Sequence, residues 1–146
     1  MKTTLIIFLA LASSAFARIG ETEAQIEKRY GPPVPAANPV ADRKVYKFKG
    51  FTINVTFKQG KSFEELIWKS DVLVMAAPVV DGLLAANAPS GTTWELSGPD
   101  IWKRSDGRAI AQILAGMLSI QTLANGEWER AVRMADKIEH SETQGF

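Results

Sequence analysis

The side chains able to do chemistry in this chain are few, and most of them are carboxylates. Cysteine is absent, so thiol nucleophiles and cysteine-ligated zinc are excluded. The one histidine, His140, lies in a polar stretch close to the C-terminus, where we expect a solvated side chain rather than a member of a catalytic triad. The sequence also lacks a glycine-rich phosphate loop, a helical pair of metal ligands and an EF-hand pattern. We therefore predict no catalytic residue, no metal and no cofactor.

Four carboxylates remain as candidates for acid–base chemistry: Asp81, Glu95, Asp100 and Asp106. Two carboxylates held at a suitable separation in a cleft could act on a glycan, but the spacing along the chain does not single out a pair. Asp106 lies within Ser105-Asp106-Gly107, and Asp100 follows Gly98-Pro99, both of which are turn-forming contexts for aspartate. A small carboxylate-dependent enzyme is therefore an alternative hypothesis.

Tryptophan is abundant for a chain of this length, with four residues. Trp68, Trp94 and Trp102 fall on predicted strands, and Arg104 and Arg108 flank the turn that follows. Because tryptophan and arginine dominate interface hot spots, an exposed group of them could hold a protein partner. The alternative is that the tryptophans pack beneath the helices as core residues. The candidate partner-binding residues are Trp68, Trp94, Trp102 and Arg104.

A basic stretch runs through the first predicted strands, and its members are Arg43, Lys44, Lys47, Lys49, Lys58 and Lys61. It could form a positive surface for lipid headgroups or polysaccharide, but we favour an ordinary solvated sheet face whose lysines protect an edge. The formal net charge is +1, so overall charge indicates neither nucleic acid nor an anionic membrane as a partner.

The elements that position these residues begin with a short helix. Thr22 and Gln25 have the spacing of a capping box, and Gly31 before Pro32-Pro33 ends the helix after Tyr30. A proline-rich connection follows over residues 32–42.

Three strands that form a meander are predicted next. Tyr46 and Phe48 alternate with lysines, residues 51–57 alternate most regularly between apolar and polar, and residues 63–69 form a less regular third strand. Tight turns are predicted at Lys49-Gly50 and Gln59-Gly60.

A second helix and a second set of strands follow. Pro78 suits a first helical turn, Val79 to Leu84 have apolar residues at helical spacing, and Asn87 or a neighbour ends the helix. Residues 109–118 are also compatible with a buried helix. The predicted strands are 92–96, 101–104, 108–114 and 117–123.

These elements indicate an α+β protein with an antiparallel sheet and helices on one face. Residues 18–146 have the length of one domain, in which 19–70 and 76–124 could be tandem repeats of a helix plus three strands. A last helix is predicted over 127–139, with Trp128 on its apolar stripe.

Residues 1–17 have the pattern of a cleavable signal peptide. Lys2 precedes an apolar core over Leu5 to Ala12, and Ala15-Phe16-Ala17 predicts cleavage between Ala17 and Arg18. The apolar core is shorter than the roughly 20 residues that span a bilayer, which disfavours the alternative of an uncleaved anchor, and no later segment is apolar enough to span one. Removing Lys2 leaves equal numbers of acidic and basic residues. We expect a periplasmic or secreted protein, and the lack of disulfides favours a bacterial source.

The opening from Ile19 to Pro32 resembles the helix-plus-meander modules of the outer-membrane assembly lipoproteins of the SmpA/OmlA type. Gly20, Thr22, Gly31 and Pro32 match that opening, and Tyr46 to Lys61 fits the following strands and turns. Two such modules in tandem form the β-lactamase inhibitor protein fold. The chain is also similar to uncharacterised exported bacterial proteins that share this opening and a later Trp…Asp-Gly-Arg-Ala segment. It departs from the lipoproteins in lacking a lipidated cysteine and from the inhibitors in lacking disulfides, and the resemblance implies a fold rather than a function.

The leading hypothesis is therefore a non-enzymatic binding or assembly module of the cell envelope that holds an envelope protein on its sheet. The alternatives are a small carboxylate-dependent envelope enzyme and a structural domain without a ligand.

Overall fold

The structure, a computed structural model, describes residues 19–123 of the chain and shows an α+β fold. The predicted signal peptide, the cleavage site at Ala17-Arg18 and the predicted helix 127–139 lie outside the described residues, as do Trp128 and His140. In chain order the elements are α1 (Glu23–Tyr30), β1 (Arg43–Phe48), β2 (Phe51–Lys58), β3 (Lys61–Lys69), α2 (Ala77–Ala86), β4 (Trp94–Gly98), β5 (Ile101–Arg104), β6 (Ala109–Leu114) and β7 (Met117–Thr122).

Helix α1 begins and ends as the sequence predicts. The Thr22 side chain accepts from the Gln25 amide and the Gln25 side chain accepts from the Thr22 amide, which is the predicted capping box. At the other end Gly31 has a φ of 85°, and its amide donates to the Glu27 carbonyl. Ile26 and Tyr30, four residues apart, are the buried residues of the helix.

Helix α2 is held in place by different interactions from those of α1. Pro78 lies in its first turn, as predicted, but its N-cap residue Ala76 offers no side-chain hydrogen bond. The helix is predominantly apolar and buries Val80, Leu83, Leu84 and Ala86. Tertiary packing, rather than capping, therefore holds α2 in place.

All seven strands of the described part form one antiparallel sheet in the order β1-β2-β3-β7-β6-β5-β4. Two meanders, β1–β3 and β4–β7, meet through their last strands, and their first strands form the two edges. The second meander has four strands against three in the first, so the halves agree in element order but not in strand number. That they are true repeats remains a prediction.

The segment 109–118 forms a hairpin rather than the buried helix that we considered as an alternative. Ala115 and Gly116 have φ values of 48° and 79°, as a two-residue type I′ turn requires. The predicted turns at Lys49-Gly50 and Gln59-Gly60 have the same pair of positive φ values. A Cβ added to Gly116 would lie 2.0 Å from the Leu73 carbonyl oxygen, so the connection into α2 rests directly on this turn.

Both helices pack on the same face of the sheet. A single core cluster joins the apolar residues of α1 and α2 to those of the strands. The strand register places one row of this core across four strands, formed by Tyr46, Ile53, Ile67 and Leu118. A second row is formed by Val55, Glu65, Ile120, Ala111 and Trp102. We call this side of the sheet the helix-covered face.

Candidate functional site

The structure brings together three of the four predicted partner-binding residues. Trp102 is paired with Ala111 in the core row, and Trp94 is paired with Arg104 on the same helix-covered face. Trp68 follows Ile67 on β3 and is paired with Thr52, so its side chain lies on the opposite face. All three tryptophans are partly exposed, whereas Arg104 is buried.

Trp94 and Trp102 line a cleft of about 490 Å³ between α2 and the β4–β5 hairpin. We call it the tryptophan cleft. The other lining residues come from the second half of α2 and from the loop that leads to β4, and they are Asp81, Leu84, Ala85, Ala88, Pro89, Ser90, Gly91, Thr92 and Thr93. The lining therefore combines aromatic rings, small apolar groups and a few polar groups, which is the usual composition of a binding site.

The floor of the tryptophan cleft is apolar and its polar groups are largely uncommitted. Leu84 is buried, and both tryptophans pack against the core cluster. The Trp94 indole N–H is buried and has no acceptor among the described residues, although a buried donor normally has one. Asp81 is exposed, and within residues 19–123 its carboxylate makes neither an ion pair nor a hydrogen bond. The cleft thus offers a ligand one exposed carboxylate acceptor, that of Asp81.

Arg104 supports the tryptophan cleft from behind. Its Nε and Nη2 donate to the two carboxylate oxygens of Asp106 at 2.9 and 3.0 Å, and Nη1 donates to the Asn87 carbonyl at 3.4 Å. The guanidinium carbon lies 6.0 Å from the centre of the Trp94 ring. Because the guanidinium already has these partners, Arg104 positions Trp94 and the end of α2.

Asp106 is the partner that holds Arg104 in this position. The hydrogen bonds from the Arg104 side chain, assisted by the Arg108 amide, lower the pKa of Asp106 below its ordinary value. The carboxylate that accepts from Arg108 is also the turn-forming aspartate that Ser105-Asp106-Gly107 predicts.

The loop at the rim of the cleft is fixed by hydrogen bonds at both ends. Thr92 donates twice to the Pro89 carbonyl, from its amide at 3.0 Å and from its hydroxyl at 2.7 Å. Thr93 accepts from the Ser105 amide at 2.8 Å and donates to the Ser105 hydroxyl at 3.0 Å. This loop was not among the predicted site residues, although Pro89-Ser90-Gly91-Thr92 is a recognisable turn sequence between a helix and a strand.

The four candidate carboxylates do not share one location. Asp81 lines the tryptophan cleft, and Asp106 is bound to Arg104. Glu95 lies on the opposite face from its neighbours Trp94 and Leu96. Asp100 has a φ of 53° between β4 and β5, which agrees with its interpretation as a turn residue.

The most unusual carboxylate is one that the sequence analysis did not select. Glu65 is fully buried on the helix-covered face, and neither of its oxygens has a hydrogen-bond partner among the described residues. Burial, and to a smaller extent the nearby Glu21, raise its pKa to about 8, against the opposing effect of Arg29. Glu21 and Arg29 form an ion pair at 2.6 Å. Strand alternation contains the signal for this residue, because Glu65 is two residues from the core residue Ile67.

Glu65 lies beneath α1, remote from the tryptophan cleft, whose lining does not include it. The buried Tyr46 hydroxyl on the same face also lacks a partner in the described part, and burial together with Glu27 raises the pKa of Tyr46 to about 12. Glu65 and Tyr46 thus place two buried polar side chains without partners among the described residues on the helix-covered face of the first half.

The basic stretch is divided between the two ends of the strands, and three of its members, Arg43, Lys44 and Lys58, line a second cleft of about 430 Å³ that also contains the acidic residues Glu23 and Asp42. Lys44 pairs with Glu23 and Glu27 of α1. Lys49 lies in the β1–β2 turn, whereas Lys58 and Lys61 lie at the β2–β3 turn, at the opposite end of the strands. This distribution agrees with our preference for ordinary solvated lysines.

Comparisons with known proteins give no further assignment. No family model, curated protein or solved structure matches the chain. Within residues 19–123, no group of three or more acidic or histidine side chains is placed to hold a metal ion. In the same residues no helix has the length and apolar character needed to cross a bilayer.

Proposed function

We propose that this protein is an exported, non-enzymatic binding module of the bacterial cell envelope that holds a protein partner in the tryptophan cleft. One observation carries the proposal: Trp94 and Trp102 line a preformed cleft together with an unpaired carboxylate and a hydroxyl-rich loop. Aromatic side chains that are rigidly held and partly exposed are the usual anchors of protein interfaces. Arg104 adds to this by fixing Trp94 before a partner arrives, which lowers the cost of ordering on binding.

Trp68 provides a matched control for this proposal. It is also a partly exposed strand tryptophan, but it lies on the opposite face. Substituting Trp68 and Trp102 in turn therefore removes similar aromatic area from two different surfaces of the same sheet. If the partner occupies the tryptophan cleft, only the Trp102 substitution weakens binding.

The test is site-specific photo-crosslinking in an envelope extract. A photoreactive residue replaces Ser90, which is exposed at the cleft, or Gln59, which is exposed in the β2–β3 turn as a control. We expect a discrete covalent adduct from position 90 that disappears with Trp102→Ala and persists with Trp68→Ala. An adduct equally strong from position 59, or one unaffected by Trp102→Ala in a folded variant, would rule out the cleft as the partner site.

A further inference from the structure

The two edges of the sheet differ in how they are covered. At the β1 edge the chain itself adds a short bridge, because Val34 pairs with Val45 and its amide donates to the Val45 carbonyl at 2.8 Å. Beyond β4 no described residue pairs with the strand. This edge, which no described strand covers, borders the tryptophan cleft.

The backbone of β4 directs donors and acceptors toward this open edge. Thr93 points both of its backbone groups at β5, since it accepts from the Ser105 amide and donates to the Ser105 side chain. Backbone groups alternate in direction along an antiparallel strand. Trp94 and Leu96 therefore point their N–H and C=O groups away from β5, to the side where no described strand lies.

The side chains at this edge favour an apolar neighbour. Leu96 is paired with Trp102 on the helix-covered face, yet it is 69% exposed. Exposed sheet edges are commonly protected by lysine, proline or a bulge. Residues 94–96 carry neither lysine nor proline, their one charged side chain, Glu95, lies on the opposite face, and the bulge falls only after Leu96. The stretch from Trp94 to Leu96 is thus available for pairing.

We infer that the partner binds as an extended polypeptide segment that adds to the β4 edge as a further strand and places alternate side chains over Leu96 and into the tryptophan cleft. This inference rests on the proposed function, because it names the form in which the partner enters the same cleft. Strand addition is a recurrent mode of peptide recognition, in which backbone hydrogen bonds give affinity and side-chain pockets give specificity.

The cleft also defines the chemistry of the segment. Side chains opposite Trp94 and Leu96 share their face, since directly paired residues do, and they meet aromatic and aliphatic groups. Asp81 is the acidic group in the cleft lining, and no cation among the described residues pairs with it. The segment therefore carries apolar residues at every second position and one basic residue that reaches Asp81.

The probe for this inference is a peptide selected from a random library displayed on phage. The library is depleted on the Trp102→Ala variant and then selected on the purified full chain. The best peptide is synthesised with single backbone N-methyl groups at successive positions. N-methylation removes one donor from the peptide and leaves the protein unchanged, so loss of folding cannot mimic the result.

We expect the affinity to fall by about tenfold at alternate positions of the peptide, each of which loses one backbone hydrogen bond, and to change far less at the positions between them. Hydrogen exchange of the Leu96 amide slows when the peptide binds, while the Glu95 amide, which faces β5, is the internal control. An even N-methyl profile with an unprotected Leu96 amide overturns strand addition but leaves the cleft as a binding site. If no selected peptide binds the wild type more tightly than the Trp102→Ala variant, the proposed function is overturned as well.

Discussion

The two halves of the molecule share an order of elements, a helix followed by a meander, but differ in how closely the helix covers the sheet. In the first half, α1 is capped at both ends and covers the sheet so closely that Glu65 and the Tyr46 hydroxyl are sealed from solvent. In the second half, α2 lacks a side-chain cap and contains Gly82, and the sheet beside it opens into the tryptophan cleft. The sheet is thus closed over Glu65 and Tyr46 beneath α1, whereas beside α2 part of its aromatic surface remains accessible.

Besides the pairing of β3 with β7, Asn87 at the end of α2 links the two halves. Its side-chain oxygen accepts from the Ile19 amide at 2.9 Å, and its backbone carbonyl accepts from Arg104. The segment before α1 is tied in turn to β3, because Gly20 donates to Ser62 and the Ser62 amide donates to the Glu21 carbonyl. The hydrogen bonds of Asn87 therefore fix the C-terminal end of α2, the helix that borders the tryptophan cleft.

The largest expected difference between the halves is the cost of truncating a core residue beneath each helix. Ile26 of α1 and Leu84 of α2 are 0% and 3% exposed, so both changes to alanine fall in the range of about 2–5 kcal/mol. We expect Ile26→Ala near the top of that range, because its cavity is enclosed. Leu84→Ala should lie near the bottom, because Leu84 lines the open cleft, where the surroundings can relax.

Urea unfolding at equilibrium measures both values. A cost for Leu84→Ala equal to or above that for Ile26→Ala would mean that α2 is packed as tightly as α1, and would remove the basis of the comparison. Far-ultraviolet circular dichroism checks that each variant retains its secondary structure.

The second prediction concerns Glu65 and the effect of its titration on the free energy of unfolding. In the unfolded chain the carboxyl loses its proton near pH 4.5, but in the folded protein it keeps the proton until the pKa of about 8. The unfolded state therefore binds fewer protons between these values, and the free energy of unfolding falls as the pH rises from 4.5 to 8. At about 1.4 kcal/mol for each unit of pKa difference, the total is on the order of a few kcal/mol.

Glu65→Gln removes this titration, so its free energy of unfolding should fall less over the same pH range, with the gain over wild type largest at the alkaline end. Glu64→Gln is the matched control, because Glu64 is the adjacent residue on the opposite face and hydrogen-bonds Gln121. Urea unfolding across the pH range measures the slopes. Parallel slopes for wild type and Glu65→Gln would show that the buried carboxyl is not protonated as we expect.

The third prediction concerns the hydrogen bond from the Ile19 amide to the Asn87 side chain, which links the two halves. Asn87→Ala leaves the buried Ile19 amide without its acceptor, which should cost about 1–3 kcal/mol. Asn54→Ala is the control, since Asn54 lies on the opposite face and its buried side-chain oxygen has no partner among the described residues. Thermal unfolding of both variants gives the comparison. A loss for Asn87→Ala no larger than that for Asn54→Ala would mean that the Ile19–Asn87 hydrogen bond adds nothing measurable to the β3–β7 pairing between the halves.

Local sequence signals predicted most of the elements because their causes are local. The capping box of Thr22 and Gln25, the X-Gly turns and the alternation over residues 51–57 each depend on neighbouring residues, and the structure confirms them. The predicted strands differ from the observed ones by a few residues at their ends, and the predicted strands 108–114 and 117–123 form the hairpin β6–β7 rather than the alternative buried helix, which the same apolar run would also satisfy.

The candidate site was only partly predictable, because it depends on which face of the sheet each residue takes. Trp102 and Arg104 are two residues apart on β5, and Arg104 is paired with Trp94 on β4, so the three side chains lie on one face of the sheet. Trp68 directly follows the core residue Ile67 and therefore lies on the other face. Strand alternation could have separated Trp68 from the start. The loop of residues 88–93 and the approach of α2 are tertiary features, and no local pattern in the sequence specifies how far a helix stands from a sheet.

The smallest expected effect comes from changing the helix propensity of α2 and of α1 by glycine–alanine substitutions in opposite directions. Gly82 lies within α2, and a Cβ added there meets nothing within 4 Å, so Gly82→Ala should raise the free energy of unfolding by about 0.5–1 kcal/mol. Ala24→Gly on the exposed side of α1 should lower it by a similar amount. If the cleft arises from the way α2 packs and not from its helix propensity, stabilising α2 leaves peptide affinity at the tryptophan cleft unchanged. Calorimetric unfolding and peptide titration of Gly82→Ala test the two statements separately, and a stabilised variant with weakened binding would show that the cleft depends on a loosely formed α2.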